Sequence, residues 1–136
     1  MTFKTGNRYA ADRGEVGEGR PPVYFETSAP DGEHLDFHGG ARVCIYHGLG
    51  GRPFRVDPWV SFSVSGTLNG NEAKPAGNML EVSHVDACVI IVRNDSCGDY
   101  FLRVTASEPI GVDPAAPVDC SGASVDPCIE LDEPQP

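Results

Sequence analysis

The chain has 136 residues, 40% of them hydrophobic, and a formal net charge of −10. That length suits one domain with a real core, and that charge argues against nucleic acid and anionic membrane surfaces as partners, because both repel it. No run approaches the roughly 18 apolar residues of a membrane span, and 16 glycines with 12 prolines favour many turns and few long helices.

Residues 1–22 mix charges of both signs with glycine, show no apolar periodicity and end at Pro21-Pro22. They read as an N-terminal arm, one that orders against a neighbouring subunit if it has a function. The opening MTFKTGNRYAADRG lacks the apolar segment of a secretory signal.

Residues 23–106 carry the strand signals. Val23 to Thr27 is a first strand, followed by the turn Ala29-Pro30-Asp31-Gly32. In Glu33 to His38, alternation points Leu35 and Phe37 one way and His34, Asp36 and His38 the other. Two imidazoles and a carboxylate on one face could bind a divalent metal, although a polar outer face on an edge strand accounts for the same pattern. Arg42 to His47 resumes the strand with Val43 and Ile45 on one face and Cys44 and Tyr46 on the other. Gly48 to Pro53 reads as a loop without the spacing of a phosphate-binding loop. Trp59 to Ser65 is the cleanest amphipathic strand, with Val60, Phe62 and Val64 facing in and Ser61, Ser63 and Ser65 facing out. Gly66 to Asn78 is a long polar loop and Met79 to Ser83 a short strand.

Ala87 to Ala106 is the apolar centre of the chain. Val89 to Val92 is a β-branched run that favours a strand covered on both faces. Asn94 to Asp99 supplies turn chemistry, and Tyr100 to Thr105 alternates with period two. Pairing across the corner gives a hairpin with Val89, Ile91, Leu102 and Val104 on the core face. The opposite face, with Cys88, Ile90, Val92 and Phe101, is too apolar to be left wet, so a second sheet, a terminus or a partner covers it. Residues 107–136 hold seven acidic residues, six prolines and no lysine or arginine, and read as an extended acidic tail.

Five cysteines cannot all pair within one chain. The oxidised reading puts Cys44 and Cys88, both in strands, as candidates, and Cys120 with Cys128 as a short loop in the tail; buried thiols are the other reading. Asp86, Asn94, Asp95 and Asp99 could gather oxygens for calcium at one end of the fold. No Gly-x-Ser-x-Gly elbow or cysteine–histidine signature is present. Arg52 and Arg55 flank Pro53-Phe54 near His47, where they could bind an anion or simply be an exposed basic loop.

The stretch Asp95-Ser96-Cys97-Gly98-Asp99-Tyr100-Phe101-Leu102 resembles the tyrosine corner of immunoglobulin-like sandwiches. Here Cys97 is inserted, and Leu102 stands where that family has cysteine. The order Cys44…Trp59…Cys88 is similar to the cysteine–tryptophan–cysteine core of the same family. A second resemblance joins His34-Leu35-Asp36 with His84 and Arg93, which is similar to the facial triad of non-haem iron oxygenases, while Pro75-Ala76-Gly77 ahead of His84 resembles a cupin motif; it implies a small metalloenzyme. The expected fold is all-β, a single antiparallel sandwich, immunoglobulin-like or jelly-roll, of about seven or eight strands. The expected function is non-enzymatic and without cofactor: a structural or interaction protein whose partners are protein subunits, its own copies or a host particle, in a virion, appendage or fibre. The second class is a secreted carbohydrate-binding or adhesion module using Gly48–Pro53 and Gly66–Asn78. An extracellular or virion location is expected ahead of a cytoplasmic one.

Overall fold

The computed structural model describes residues 2–11, 14–17, 19–29, 32–62, 64 and 80–110, all in strands and their connections with no helix. The strands are β1 (Thr2–Thr5), β2 (Asn7–Tyr9), β3 (Tyr24–Glu26), β4 (Leu35–Phe37), β5 (Arg42–Tyr46), β6 (Arg52–Ser61), β7 (Glu81–Val85), β8 (Val89–Arg93) and β9 (Tyr100–Ile110). They form two sheets. One is four-stranded in the order β1-β5-β8-β7. The other is five-stranded around β9, which pairs with β6 on one edge and with β3 and β4 on the other, β2 extending from β3. All these pairings are antiparallel except that of β1 with β5, which is parallel.

The core lies between the sheets. Val43, Ile45, Ile90 and Val92 come from the first, and Phe25, Phe37, Leu102, Val104 and Ala106 from the second; all are buried, with Leu49 beside them. Side chains of this kind contribute about 1.5–3 kcal/mol each when fully buried, so the packing of the two inner faces dominates the stability. The arrangement is a sandwich-like all-β fold with mixed pairing.

The expected hairpin does not form. β8 pairs with β5 and β7, whereas β9 pairs with β3, β4 and β6, so the two strands belong to different sheets. The corner from Asn94 to Asp99 is the crossing between layers. The core face of β8 is therefore Ile90 and Val92, and Val89 and Ile91 point to the other side of their sheet, in a second buried cluster with Cys44 and Cys88. The apolar run fits this position because β8 is a central strand covered on both faces.

Asn94 holds the crossing. Its side chain is buried and fully used: Nδ2 donates to the carbonyl oxygens of Phe37 (2.9 Å) and Gly98 (2.8 Å), and Oδ1 accepts from the Ser96 amide (3.0 Å) and hydroxyl (2.7 Å). Its backbone closes the turn after β4, with Asn94 N donating to Ala41 O and Gly40 N donating to Asn94 O. Gly40, at φ 78°, supplies the left-handed position that this turn requires.

The first residues, read from sequence as an arm, lie partly within the sheets. β1 adds to the four-stranded sheet and β2 to the five-stranded one, and Gly6 is the single residue between them. A Cβ at Gly6 would stand 2.1 Å from Glu26 O, so only glycine lets the chain change sheets at that point. Weak apolar patterning hid these strands, because each is short and at a sheet edge.

Two further differences concern β6 and β9. β6 begins at Arg52, inside the expected loop, and ends at Ser61; Val60 is in the core, but Phe62 and Val64 are exposed and Ser61 is buried. Pro53 and Pro58 are accommodated because β6 is an edge strand with one side unpaired. β9 continues to Ile110, four residues past the expected boundary at Ala106. The expected loop Gly66–Asn78, Ser63, Ser65 and residues 111–136 of the acidic tail lie outside the described residues.

On the outer face of the five-stranded sheet, Arg103 and Glu26 form a buried ion pair. Arg103 Nη2 donates to Glu26 Oε2 at 3.0 Å, with side-chain exposures of 6% and 11%. Arg103 Nε donates to Ser28 O (2.7 Å), and Tyr9 Oη donates to Glu26 Oε1 (2.9 Å), which ties β2, β3 and β9 together.

Chemical denaturation tests both anchors. Asn94→Ala leaves the Phe37 and Gly98 carbonyl groups without their donor and is expected to cost about 2–4 kcal/mol, as each buried orphan costs about 1–3 kcal/mol. Glu26→Ala is expected to cost about 3–5 kcal/mol by leaving Arg103 buried and unpaired. The double change Glu26→Leu with Arg103→Met should restore most of that loss; equal losses in single and double variants would show that the pair is not the cause.

Candidate functional site

The residues expected to hold a metal differ in their surroundings. His34 is buried at the entry to β4, with Nδ1 bonded to Gly32 O at 2.9 Å. Asp36 is exposed on β4, and exposed His38 stands 3.7 Å from Asp99. Among the described residues no three His, Cys, Asp or Glu side chains gather as a metal site. The oxygens considered for calcium are divided along β8: Asp86 precedes it, while Asn94, Asp95 and Asp99 follow it. Asp95 is paired with Arg93 at 2.6 Å, and Asp99 Oδ1 accepts from Gly39 N at 3.0 Å. His84 is on β7 of the four-stranded sheet and Asp36 on β4 of the five-stranded one, and the described residues gather no such triad.

A polar cluster does form at the start of β8. Asp86 Oδ1 accepts from the amides of Cys88 (2.7 Å) and Val89 (2.8 Å), and its Oδ2 accepts from His84 Nε2 at 2.8 Å. His47, after β5, is buried; its Nδ1 accepts from Leu49 N (3.0 Å), which leaves Nε2 to donate to Asp86 O (2.9 Å). Every nitrogen of His47 is thereby used in the neutral ring, so this cluster fastens the Gly48–Gly51 loop to the β7–β8 turn.

The ionisation of this cluster follows its surroundings. Burial lowers the His47 pKa below its ordinary 6.5, against the smaller opposing effects of the Asp86 carbonyl and charge. For Asp86, burial pushes upward, but the His84 imidazole and the Val89 and Cys88 amides prevail and hold it below 3.8.

A concave surface lies elsewhere. An open groove of about 860 Å³ runs over the outer face of the five-stranded sheet where β3, β9 and β6 meet. Pro21, Pro22, Val23 and Tyr24 line it alongside Pro109, and Thr105, Ser107 and Asp57 supply polar groups. Arg55 and Glu108 also line it, and both are exposed. Glu108 has φ 56°, in the left-handed region, immediately before a proline. Backbone strain of this kind costs about 1–3 kcal/mol and persists where surrounding structure imposes it; here Glu108 N donates to Val23 O at 3.2 Å.

Beyond Ser107, β9 pairs only with β6, so Arg52–Phe54 and Glu108–Ile110 make a two-stranded ribbon next to the groove. Phe54 is 72% exposed and Ile110 57% exposed. Sequence reading placed Arg52 and Arg55 in a basic loop; the structure puts them on β6, with Arg55 in the groove. The groove was not legible because it joins Pro21-Pro22 to residues some thirty and eighty positions later.

Stability should fall in acid in two stages. Because His47 is lowered in the fold, its contribution is complete above pH 6.5 and is lost as the unfolded chain takes up a proton below it. The contribution of Asp86 is complete above 3.8 and declines below that pH. In urea titrations between pH 7 and pH 5, His47→Gln is expected to flatten the first decline; an unchanged slope would exclude His47 as its source.

No family model, curated protein or solved structure matches this chain.

Proposed function

We propose that the chain is a non-enzymatic interaction protein, a subunit or accessory component of a larger protein assembly, that makes contact through the β6–β9 ribbon and the adjoining groove. The observation that carries this reading is the exposure of Phe54 and Ile110 on the two paired strands of a ribbon that adjoins a concave surface. Large apolar side chains clustered beside charged groups suit a protein interface, with the aromatic ring as an anchor and Arg55 and Glu108 at its rim. The same reading takes the sandwich as immunoglobulin-like. In its support, the Asp95–Tyr100 corner joins strands of opposite sheets, as the tyrosine corner of that family does.

Light scattering on the full chain tests the proposal. A defined oligomer is expected, and Phe54→Ser with Arg55→Glu should shift it to monomer. The two replaced residues are exposed, so the melting temperature should stay nearly unchanged, as surface substitutions fall within about 0.5 kcal/mol. A chain that is monomeric at every concentration, and that instead binds glycans on an array in an Arg55-dependent way, would establish the carbohydrate-binding module in place of the assembly subunit.

A further inference from the structure

His47 is 1% exposed, and both of its ring nitrogens are committed. The Leu49 amide, 3.0 Å away, can only donate, so Nδ1 keeps its lone pair for it and the ring proton sits on Nε2, which donates to Asp86 O at 2.9 Å. The backbone is pinned beside the ring, with His47 N donating to Cys88 O at 3.1 Å. A second proton can therefore enter only at Nδ1, where it points at the Leu49 N–H. Two donors would then face each other at 3.0 Å, and the Leu49 amide would lose its acceptor.

That amide belongs to a core residue. Leu49 is 0% exposed and packs between the sheets in the cluster that holds Val43, Ile45 and Leu102. Its segment joins β5 of the four-stranded sheet to β6 of the five-stranded one. Gly48 at φ 63° and Gly50 at φ 78° stand on either side of it. Glycine occupies and leaves such left-handed positions with little strain, so both can act as hinges.

We propose that His47 is an acid-sensitive latch: protonation at Nδ1 breaks its bond to the Leu49 amide, and the Gly48–Gly51 loop swings out with Leu49 while the two sheets stay folded. Charges on each neighbouring element decide whether the ring can hold that proton with the loop closed. From the β7–β8 turn, the Asp86 carboxylate favours the charged ring. Its oxygens already accept from the Cys88 and Val89 amides and from His84 Nε2 on β7, and what bonds to His47 is the Asp86 carbonyl. From β2, Arg8 sets a guanidinium on the loop, Nη1 donating to Gly48 O at 3.0 Å, and this cation disfavours a second one beside it. Lys4 on β1 and Arg52 on β6 are exposed, and β8 brings Val89 and Ile90 to this end.

Burial outweighs the Asp86 attraction and holds the closed ring below its ordinary 6.5. With the loop open the imidazole meets water and returns toward that value. The open form then binds the proton more readily. Opening is favoured as pH falls below 6.5, by up to about tenfold per pH unit until the closed ring is protonated as well. Above 6.5 both forms carry the neutral ring and the latch stays shut.

Amide hydrogen exchange, followed by NMR on the full chain between pH 7 and pH 5 with the intrinsic pH dependence divided out, tests the latch. Protection of the Leu49 amide is expected to fall by up to about tenfold per pH unit below 6.5. At each pH it should lie below that of the Asn94 and Val104 amides, which donate to Ala41 O and Thr27 Oγ1 in the body of the fold. It should also be insensitive to low urea, since a local opening exposes little surface. Protection at Leu49 that does not change with pH would overturn the proposal. So would protection equal to that of Asn94 and Val104 with the same urea dependence, because Leu49 would then open only by global unfolding. His47→Gln should abolish the pH dependence at Leu49, and His84→Gln, which changes the other imidazole of the cluster, should retain it. Loss of the dependence in His84→Gln, or its survival in His47→Gln, would place the effect on another group and overturn the assignment.

Discussion

The structure depends on the passage of the chain from β8 to β9, where consecutive apolar strands are sent into opposite sheets. A tight hairpin would have put their inner faces side by side in one layer and left nothing to pack against them. The crossing places Ile90 and Val92 opposite Leu102 and Val104 instead. Asn94 makes the crossing specific, because one buried amide serves the end of β4 and the corner itself while its backbone closes the β4–β5 turn. A buried amide group with all its bonds made is cheap, and one with bonds missing is costly. That difference selects this geometry over neighbouring ones.

Polar anchoring recurs outside the apolar core. Arg103 and Glu26 bind β2, β3 and β9 on one outer face. Asp86, His84 and His47 fasten the loop after β5 to the turn before β8. Such groups contribute less net stability than the core, since desolvation offsets much of their attraction. Their effect is on uniqueness: each leaves one set of neighbours that satisfies every donor and acceptor. Several are histidine and carboxylate residues that look chemical in a sequence, and their partners are structural.

The groove and ribbon are the part of the surface that this internal logic does not consume. Glu108 adopts a strained backbone, and Phe54 and Ile110 remain in solvent. On the proposed reading, a sandwich with anchored loops would support a contact surface there, since a preorganised surface lowers the ordering cost of docking.

The sequence by itself determined the all-β class and most of the strands, because period-two alternation in Tyr24–Glu26, Arg42–Tyr46 and Tyr100–Thr105, and the β-branched run Val89–Val92, are local signals of extended backbone. It also determined that the apolar centre needed cover on both faces. Only the tertiary structure decided which strands are neighbours. Val89 and Val92 carry the same local signal, and whether they face Leu102 or the outer side depends on pairings between residues far apart in the chain. Gly6 and Glu108 were unremarkable as letters, and Asn94 read only as a turn residue or a calcium oxygen, since their roles come from a carbonyl oxygen, a neighbouring strand and a crossing supplied by distant residues. His34, Asp36 and His38 show the converse. Alternation put them on one side of a strand, whereas the structure buries His34 against Gly32 O and leaves Asp36 and His38 exposed, His38 beside Asp99.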